Sequence, residues 1–255
     1  MISLKSPREM RLMREAGRIV AEVLAILTEK AAPGVTTQQL DSIAEEHIRR
    51  NDAVPAFKGY GGTRSREAFP ATICASVNEE VVHGVPGPQA LRQGDILSID
   101  VGARKDGYFG DAAKTVAIGR ISPEAARLIK VCRESLKKAI AQVKPGGKLS
   151  EVSAAIQQYV EANGYSVVRK FVGHGIGSEM HEDPQIPNFV SADYKDVVLK
   201  QGMTLAIEPM INQGGARVRT QVNAWPVSTA DGKPSAHWEH TVAVGRAGAE
   251  ILTLP

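Results

Sequence analysis

The chain has 255 residues, of which 43% are hydrophobic and 23% are charged, and its formal net charge is +3. These values are typical of a globular protein with one large domain or two small ones, and the small charge gives no indication of a specific nucleic-acid partner. Two cysteines, Cys74 and Cys132, are too few for a disulfide framework and favour a reducing compartment.

The N-terminal stretch MISLKSPREM has no apolar run after its charged residues, so we expect no signal peptide. No later stretch reaches the roughly 20 apolar residues that a membrane span requires, so no membrane partner is expected. Together these features predict a cytoplasmic protein. The sequence shows no obvious exposed apolar stripe, which favours a monomer.

The first predicted helix begins at Ser6, after which apolar residues recur at helical spacing. Pro33-Gly34 interrupts this pattern, and either Thr36 or Thr37 can cap a second helix. The next stretch, Lys58–Pro70, is rich in glycine and polar residues and is predicted to be a loop.

The same helical plan returns later in the chain. Ser122 opens a third predicted helix, Pro145-Gly146 ends it, and Ser150 can cap a fourth. Each helix pair is followed by strand-like sequence, which suggests two duplicated halves at roughly 1–120 and 121–255. The alternative is that an ordinary α+β protein uses a helix–Pro-Gly–helix unit twice.

Short strand-like stretches follow each helix pair. The first is ATICASVNEEVVHGVPG, in which Asn78 marks a turn between two strands. Three more come after the fourth helix, in SVVRKFVGHGIG, GMTLAIEPMI and SAHWEHTVAVG. Because these strands follow one another without intervening helices, antiparallel pairing and an α+β class are predicted.

A hairpin is predicted around Asp106-Gly107, a pair that favours a two-residue type I′ turn. That turn places Gly102 opposite Asp111 and, because side chains alternate along a strand, directs Asp100, Gly102 and Asp111 to one face. The two carboxylates then lie diagonally across the hairpin, and Gly102 is expected to leave the space between them empty. Their repulsion favours a bound cation, although acidic residues at strand ends are also often simply solvated.

Two glutamates lie in stretches that are otherwise suited to burial, Glu208 in LAIEPMI and Glu239 in HWEHTVAV. A buried carboxylate without a partner costs several kcal/mol, so each is predicted to be metal-bound, protonated or paired with a basic residue. His237 and His240 flank Glu239, and one of them is expected to face away from it.

Four other histidines differ in their surroundings. His174 lies between two glycines, and His181 follows it seven residues later beside a glutamate. Each of them, like His83 at a predicted strand end, is either a metal or substrate ligand or an ordinary hydrogen-bonded histidine. His47 lies next to two glutamates on a predicted helix and is expected to be a solvated surface residue.

Taken together, four carboxylates and one imidazole carry a charge that two divalent ions would cancel. The five candidate ligands are Asp100, Asp111, His174, Glu208 and Glu239. Such a set suits Co, Mn, Fe or Zn and does not choose among them. Two ions about 3.5–4 Å apart can share a water and lower its pKa, so metal-assisted hydrolysis is the predicted reaction class.

Five sequence blocks resemble those of type I methionine aminopeptidases, in the same order: VVHGVPG, SIDVGARKDGYFGD, GHGIGSEMHEDPQIPN, GMTLAIEPM and WEHT. The resemblance covers nearly the whole chain. It implies the pita-bread fold, in which two pseudo-twofold related αα-β halves surround a curved, largely antiparallel sheet, as one catalytic domain over 1–255. It also implies co-translational removal of the N-terminal methionine of nascent proteins, with a preference for a small second residue.

The metal ligands of this family fall on the same five residues. By resemblance, Asp111 and Glu239 bridge two metal ions and Asp100 holds one of them. His174 and Glu208 hold the other ion.

The resemblance also implies roles in the reaction. Glu208 would take a proton from the attacking water and pass it to the leaving amine. His181 would donate to the scissile carbonyl, and His83 would contact the neighbouring peptide nitrogen. The walls of the methionine pocket would be Phe57, Tyr60, Cys74, Met180 and Trp225.

Two departures from the family pattern affect this pocket. The loop Gly61–Pro70 is longer than in shorter bacterial members, and Phe69 is a candidate for the second aromatic wall. Met180 stands where a phenylalanine is usual. The chain starts directly at its first helix, without the extension that some relatives use to bind the ribosome or SH3-type partners, and transient ribosome association stays open.

Two alternatives remain. A proline-directed aminopeptidase of the same fold would keep the five ligands, but such relatives usually carry an additional N-terminal domain. A non-catalytic binding module of this fold would typically have lost metal ligands, whereas all five are present here.

Overall fold

The computed structural model describes residues 2–64 and 67–255. Within them the four helices are α1 (Pro7–Lys30), α2 (Thr37–Arg50), α3 (Pro123–Ile140) and α4 (Leu149–Ala162). The strands before α3 are β1 (Val54–Pro55), β2 (Ile73–Val77), β3 (Glu80–Val82), β4 (Ile96–Lys105) and β5 (Tyr108–Ala117). The strands after α4 are β6 (Ser166–Val167), β7 (Gly173–Gly175), β8 (Glu182–Ile186), β9 (Thr204–Ile207), β10 (Met210–Asn212), β11 (Val218–Thr220), β12 (Val227–Thr229), β13 (Ser235–His237), β14 (His240–Val244) and β15 (Ala249–Ile251).

Three of the helices begin at the residues that their sequence predicts. The Ser6 hydroxyl accepts from the Glu9 N–H, and the Glu9 carboxylate accepts from the Ser6 N–H, so α1 has a complete capping box. Thr36, rather than Thr37, caps α2 with the same reciprocal pair of bonds. The Ser122 hydroxyl caps α3 by accepting from the Ala125 N–H.

The expectation for the fourth helix was wrong. Lys148 occupies the N-cap of α4, and Ser150 lies inside the first turn. Both the N–H and the hydroxyl of Ser150 donate to the Asp196 carboxylate, each at 3.0 Å. A side chain from a later loop thus satisfies a free N–H of the first turn, so Ser150 is not needed as the cap.

The central hairpin of β4 and β5 has the predicted register. Gly102 pairs with Asp111 and Asp100 with Ala113 in a continuous antiparallel ladder. Asp106 and Gly107 have φ values of 49° and 87°, as the type I′ turn requires. β1 and β2 also pair antiparallel with β4, so β4 is the central strand of a four-stranded sheet.

Five strands of the second half form one sheet in the order β15-β14-β9-β7-β8. Two three-stranded sheets, β13-β10-β6 and β11-β12-β3, complete the topology, and the second of them joins strands from both halves. Every strand pairing recorded for the described residues is antiparallel, which confirms the predicted α+β class.

Each helix pair covers its own hydrophobic core. The first core combines apolar side chains of α1 and α2 with those of β2, β4 and β5, including the fully buried Ile19, Leu40 and Ile99. The second combines α3 and α4 with β9, β10, β13 and β14, including Leu128 and Ile156. The same layering of a helix pair on strands thus occurs twice along the chain. None of the four helices is long and apolar enough to span a membrane.

Candidate metal centre and substrate cavity

The two aspartates of the hairpin face one cavity at the seam between the halves. Asp111 is 3% exposed, and its backbone is held on both sides by Thr241 of β14. The Asp111 N–H donates to the Thr241 hydroxyl at 3.0 Å, and that hydroxyl donates to the Asp111 carbonyl at 2.8 Å. These bonds fix the hairpin against the strand that follows Glu239.

The space beside Gly102 is not empty, contrary to the expectation from the sequence. A Cβ on Gly102 would lie 2.8 Å from Cε1 of Phe57 and 2.9 Å from Cβ of Ala56. The Ala56 N–H also donates to the Gly102 carbonyl at 3.0 Å, which brings this segment close to the hairpin. Gly102 therefore makes room for an aromatic wall of the cavity.

The other two carboxylates lie where a strand ladder is interrupted. β9 pairs with β14 up to Ile207 and His240, and β10 pairs with β13 from Met210 and His237 onward. Glu208 lies at the interruption on one chain segment and Glu239 on the other. A break in the ladder redirects side chains, as a β-bulge does, and here both glutamates line the cavity.

His174 comes from β7, which pairs with β9. Its Nδ1 lies 2.8 Å from the Gly175 carbonyl, so Nδ1 carries the hydrogen and donates it. The free lone pair on Nε2 then faces the carboxylates, 3.7 Å from Oε1 of Glu208 and 3.9 Å from Oδ2 of Asp111. This is the tautomer that a metal ligand requires.

The pKa values show how unfavourable the negative charges are in this cavity. Burial raises the pKa of Asp100 to about 7 and that of Glu208 to about 8. Burial and the neighbouring carboxylates raise the pKa values of Asp111 and Glu239 well above their usual range. Burial, followed by the charge of a neighbouring histidine, lowers the pKa of His174 to about 3. A divalent cation would reverse these shifts in the acids.

Several buried polar atoms in or beside the cavity have no hydrogen-bond partner within the described part of the chain. They include Asp100 Oδ1, Asp111 Oδ1, Glu239 Oε1 and His237 Nε2. Ligand atoms of Asp111, His174 and Glu239 lie within 4.8 Å of one another, and so do those of Glu208, His237 and Glu239. Buried carboxylate oxygens that accept no hydrogen bond from the protein are typical of metal sites, because the ion satisfies them. The residues therefore fit divalent ions.

His237 is a site residue that the sequence interpretation did not assign. It is 2% exposed, and its Nε2 lies 3.5 Å from Oε2 of Glu208 and 3.9 Å from Oε2 of Glu239. His240 faces away, as expected for one of the pair, and contacts the Thr253 hydroxyl at 2.8 Å. Two-residue alternation from Glu239 would have indicated His237.

Two further histidines border the cavity. Nδ1 of His181 lies 2.6 Å from the Tyr60 hydroxyl, and its ring centroid is 4.2 Å from that of His174. Burial lowers the pKa of His181. His83 has a positive φ of 60° and makes an edge-to-face contact with Trp225 at 6.1 Å between ring centroids.

The cavity itself has a volume of about 310 Å³. It brings together all twelve predicted site residues and, in addition, Phe69. They are Phe57, Tyr60, Phe69, Cys74, His83, Asp100, Asp111, His174, Met180, His181, Glu208, Trp225 and Glu239. One side is thus acidic and the other is aromatic and sulfur-rich, which suits an apolar side chain next to a hydrolytic centre.

His47 is not a freely solvated surface residue. Its Nε2 lies 2.9 Å from Oε2 of Glu22, and its side chain is 25% exposed. The contact joins α2 to α1, and neither His47 nor Glu22 lines the cavity. The helical position of His47 was evident from the sequence, but its partner on the neighbouring helix was not.

Comparisons with known proteins agree on one family. The model of metallopeptidase family M24 matches residues 11–246. The chain is 52% identical over 255 residues to the methionine aminopeptidase of Clostridium acetobutylicum, covering 100% of this chain and 99% of that protein. It is 51% identical to methionine aminopeptidase 1 of Bacillus subtilis, covering 99% of each.

Solved structures show the same relationship. The methionine aminopeptidase of Thermotoga maritima superposes with a TM-score of 0.94 at 44% identity and covers 100% of both chains. The prolidase of Pyrococcus furiosus superposes with a TM-score of 0.76 at 23% identity, covering 99% of this chain and 65% of that one. The second likeness is one of fold alone.

Proposed function

Because the chain belongs to metallopeptidase family M24, we infer that it is a hydrolase that removes the N-terminal methionine from proteins. Its fold is the pita-bread fold, shared with the solved methionine aminopeptidase and prolidase structures. The observation that carries the function is the cavity, which places four carboxylates and a histidine beside an apolar pocket. We propose that residues 1–255 act as one catalytic domain with halves at roughly 1–120 and 121–255.

We propose that two divalent ions, Co, Mn, Fe or Zn, bind the cavity. Asp111 and Glu239, one from each half, would contact both ions, and Asp100 would hold one of them. His174 and Glu208 would hold the other, with the Nε2 lone pair of His174 already directed inward. When bound, the ions supply Lewis acidity and lower the pKa of a water molecule.

Glu208 is proposed as the proton carrier. Its carboxylate has a pKa raised to about 8 by burial, so in the metal-free cavity it holds a proton near neutral pH. With its charge balanced in the loaded site, it accepts a proton from the attacking water and returns it to the leaving amine. His237 Nε2, 3.5 Å from Glu208 Oε2, would hold this carboxylate in place.

His181 is proposed to donate to the scissile carbonyl. Burial raises the pKa of the Tyr60 phenol, which therefore stays protonated and donates to Nδ1 of His181. The hydrogen of the neutral ring is then on Nε2, the atom available to the substrate oxygen. His83 would contact the neighbouring peptide nitrogen.

The methionine side chain of the substrate would occupy the apolar side of the cavity. Phe57 and Phe69 meet edge to face at 6.5 Å between ring centroids, and Phe69 and Trp225 do so at 5.3 Å. Burial raises the pKa of the Cys74 thiol well above its usual range, so it stays a neutral, polarizable contact. With Met180, 3% exposed, these groups form a soft pocket for a thioether.

The test is release of methionine from a Met-Ala-Ser peptide by chelator-stripped protein, with Mn, Co, Fe or Zn added back. Leu-Ala-Ser and an Xaa-Pro peptide run alongside. Metal-dependent cleavage of the methionine peptide alone supports the proposal. Cleavage of only the Xaa-Pro peptide would replace the substrate, and inactivity with every metal together with no metal uptake would indicate a binding module.

The setting of the reaction is also proposed. Nascent polypeptides are the substrate class, with removal before a small second residue, and a transient association with the ribosome would bring enzyme and substrate together. Cys74 and Cys132 are both buried and free, which suits the reducing cytoplasm. We propose a monomer without a specific nucleic-acid or membrane partner; sedimentation equilibrium of the metal-loaded protein tests its mass.

A further inference from the structure

A second groove lies next to the cavity on the side of His83. It has a volume of about 480 Å³ and shares His83 and Trp225 with the cavity. Its remaining wall includes Lys170, Phe171 and Thr220. We call this region the distal groove. Because the two spaces share two side chains, the distal groove adjoins the cavity at His83 and Trp225.

The shared wall is firmly held. The Trp225 indole N–H donates to the Glu67 carbonyl at 3.0 Å, and a Cβ on Gly61 would lie 2.8 Å from the Trp225 ring. The Phe171 ring contacts His83 edge to face at 5.6 Å between centroids. The boundary between the cavity and the distal groove is therefore built from packed aromatic rings, which offer a defined surface to a peptide.

Among the described residues that line the distal groove, Lys170 is the only lysine or arginine. No acidic side chain is among them. Its Nζ lies 3.4 Å from the Thr220 hydroxyl, and no carboxylate of the described chain lies within 4.0 Å of it. The neighbouring Arg169 is directed elsewhere, over the ring of Phe189 at 5.4 Å. Lys170 thus gives the distal groove a positive charge that no carboxylate of the described residues neutralises at close range.

The spacing fits a substrate chain. The Lys170 Nζ lies 6.0 Å from the Phe171 ring centroid, which is 5.6 Å from that of His83. The ammonium is therefore at most about 12 Å from the imidazole, a distance that three to four extended residues at about 3.3 Å each can span. An acidic side chain on the third or fourth substrate residue would reach it.

We propose that the distal groove binds the third and fourth residues of the substrate and that Lys170 favours an acidic side chain there. The proposal rests on the proposed function, because it needs the N-terminal methionine in the cavity. An exposed ion pair of this kind is worth a modest preference, about two- to five-fold at low ionic strength. Salt should reduce it.

The experiment compares kcat/KM for the amidated peptides Met-Ala-Xaa-Ser and Met-Ala-Ser-Xaa, where Xaa is Glu, Gln or Lys. Amidation removes the terminal carboxylate, which could otherwise bind Lys170 itself. The wild type should prefer Glu to Gln about two- to five-fold at one of the two positions. Lys170→Met should bring the Glu-to-Gln ratio to about one, and Lys170→Glu should favour the Lys peptide.

Lys130→Met is the matched control, since it removes the same charge from the exposed surface of α3. It should retain the wild-type ratio. A ratio that is unchanged in Lys170→Met, or equally changed in Lys130→Met, would overturn the proposal. Cleavage of Met-Ala-Ser separates the two failures: if neither it nor any of the longer methionine peptides is cleaved, the proposed function fails, and if they are cleaved while all ratios equal one, only the groove proposal fails.

Discussion

The two halves of the molecule use the same helix-pair architecture but build their share of the cavity in different ways. The first half contributes Asp100 and Asp111 from one hairpin, whose strands are joined by a two-residue turn. The second half contributes His174 from β7, while Glu208 and Glu239 lie at the interruption between two strand ladders. One half thus relies on local pairing, and the other on segments far apart in the chain.

This difference separates two ways of placing a charged group. In the hairpin, the turn fixes the register, and the register fixes the face to which both aspartates point. In the second half, three segments must pair correctly before their side chains converge, and the exact positions depend on where the ladder is interrupted. A site that spans both halves therefore forms only when each has folded.

The largest expected effect comes from removing one central carboxylate from each half. We expect Asp111→Asn and Glu239→Gln each to lower metal-dependent kcat by about a thousandfold or more. Several kcal/mol of transition-state stabilisation are lost with the ions, at about 1.4 kcal/mol per tenfold. Peptide assays with measurement of bound metal check this.

The control for both variants is Asp95→Asn, which changes an aspartate that lies outside the cavity and contacts Asn78. It should bind metal as the wild type does. If Asp111→Asn kept appreciable activity while Glu239→Gln did not, the two halves would not contribute equally to the centre, and the proposed ligand set would be wrong.

The next effect concerns a contact between the halves, from Tyr60 to His181. We expect His181→Ala to lower kcat about 100- to 1000-fold, as loss of an oxyanion donor does. Tyr60→Phe should lower kcat by roughly tenfold, because Nδ1 loses the donor that fixes the ring hydrogen on Nε2. The double variant should be no slower than His181→Ala alone, since both act through one group.

Steady-state kinetics on Met-Ala-Ser measure all three variants, with Met180→Leu as a control that alters the pocket and is expected to act mainly on KM. Full activity of Tyr60→Phe would show that the phenol does not set the tautomer of His181. Additive effects in the double variant would show that the two residues act independently.

A smaller effect is expected in the pH dependence of stability of the metal-free protein. Burial raises the pKa of Asp100 in the first half to about 7 and that of Glu208 in the second to about 8. An acid with a raised folded pKa stabilises the fold below its unfolded pKa, and this contribution is lost as the pH rises through the folded value. Stability should therefore fall between about pH 5 and pH 8.

Thermal unfolding after chelation measures this fall, which we expect to lower Tm by at least about 4 °C, since 1 kcal/mol corresponds to roughly 2–4 °C in a chain of this size. Asp100→Asn should reduce the slope. A metal-free protein whose Tm rises over the same range would contradict the pKa directions.

The smallest effect concerns the second helix of each pair. Thr36 caps α2 with its hydroxyl, whereas Lys148 has no side-chain oxygen with which to cap α4. Thr36→Ala should lower the free energy of unfolding by about 1 kcal/mol, and Lys148→Ser should raise it by about 0.5 kcal/mol. Urea unfolding followed by circular dichroism measures both. If neither substitution changed the free energy of unfolding, the difference between the two helix caps would make no contribution to stability.

The parts of the structure that could be predicted from the sequence are those set by neighbours in the chain. The turn at Asp106-Gly107 determined the pairing of Gly102 with Asp111, and Ser6 and Ser122 marked two helix starts. The candidate metal ligands could be selected from their spacing and from the predicted burial of their strands. That they meet in one site was implied only by the family resemblance, because the strands that carry them are not adjacent in the sequence.

The errors arose where a distant segment intervened. Asp196 bonds Ser150 from a later loop, so that serine is not a cap. Phe57 fills the space beside Gly102, and Glu22 on the neighbouring helix partners His47. His237 escaped notice because the interruption of the ladder, which turns it towards Glu208, depends on pairing between β10 and β13. Only His237 leaves a periodic signal, its two-residue spacing from Glu239; the contacts of Ser150, Gly102 and His47 leave none.

The double hydrogen bond between Thr241 and the backbone of Asp111 has a consequence for the lifetime of the protein. It lies at the seam that the metal ions would span, so ions bound there would hold the two halves together. Ligands that bind only the folded state stabilise it by about 2.7 kcal/mol at a concentration of 100 times Kd. Metal starvation would then do more than silence the enzyme: it would loosen the seam and expose the chain to proteolysis, so that metal supply would also set the abundance of the protein.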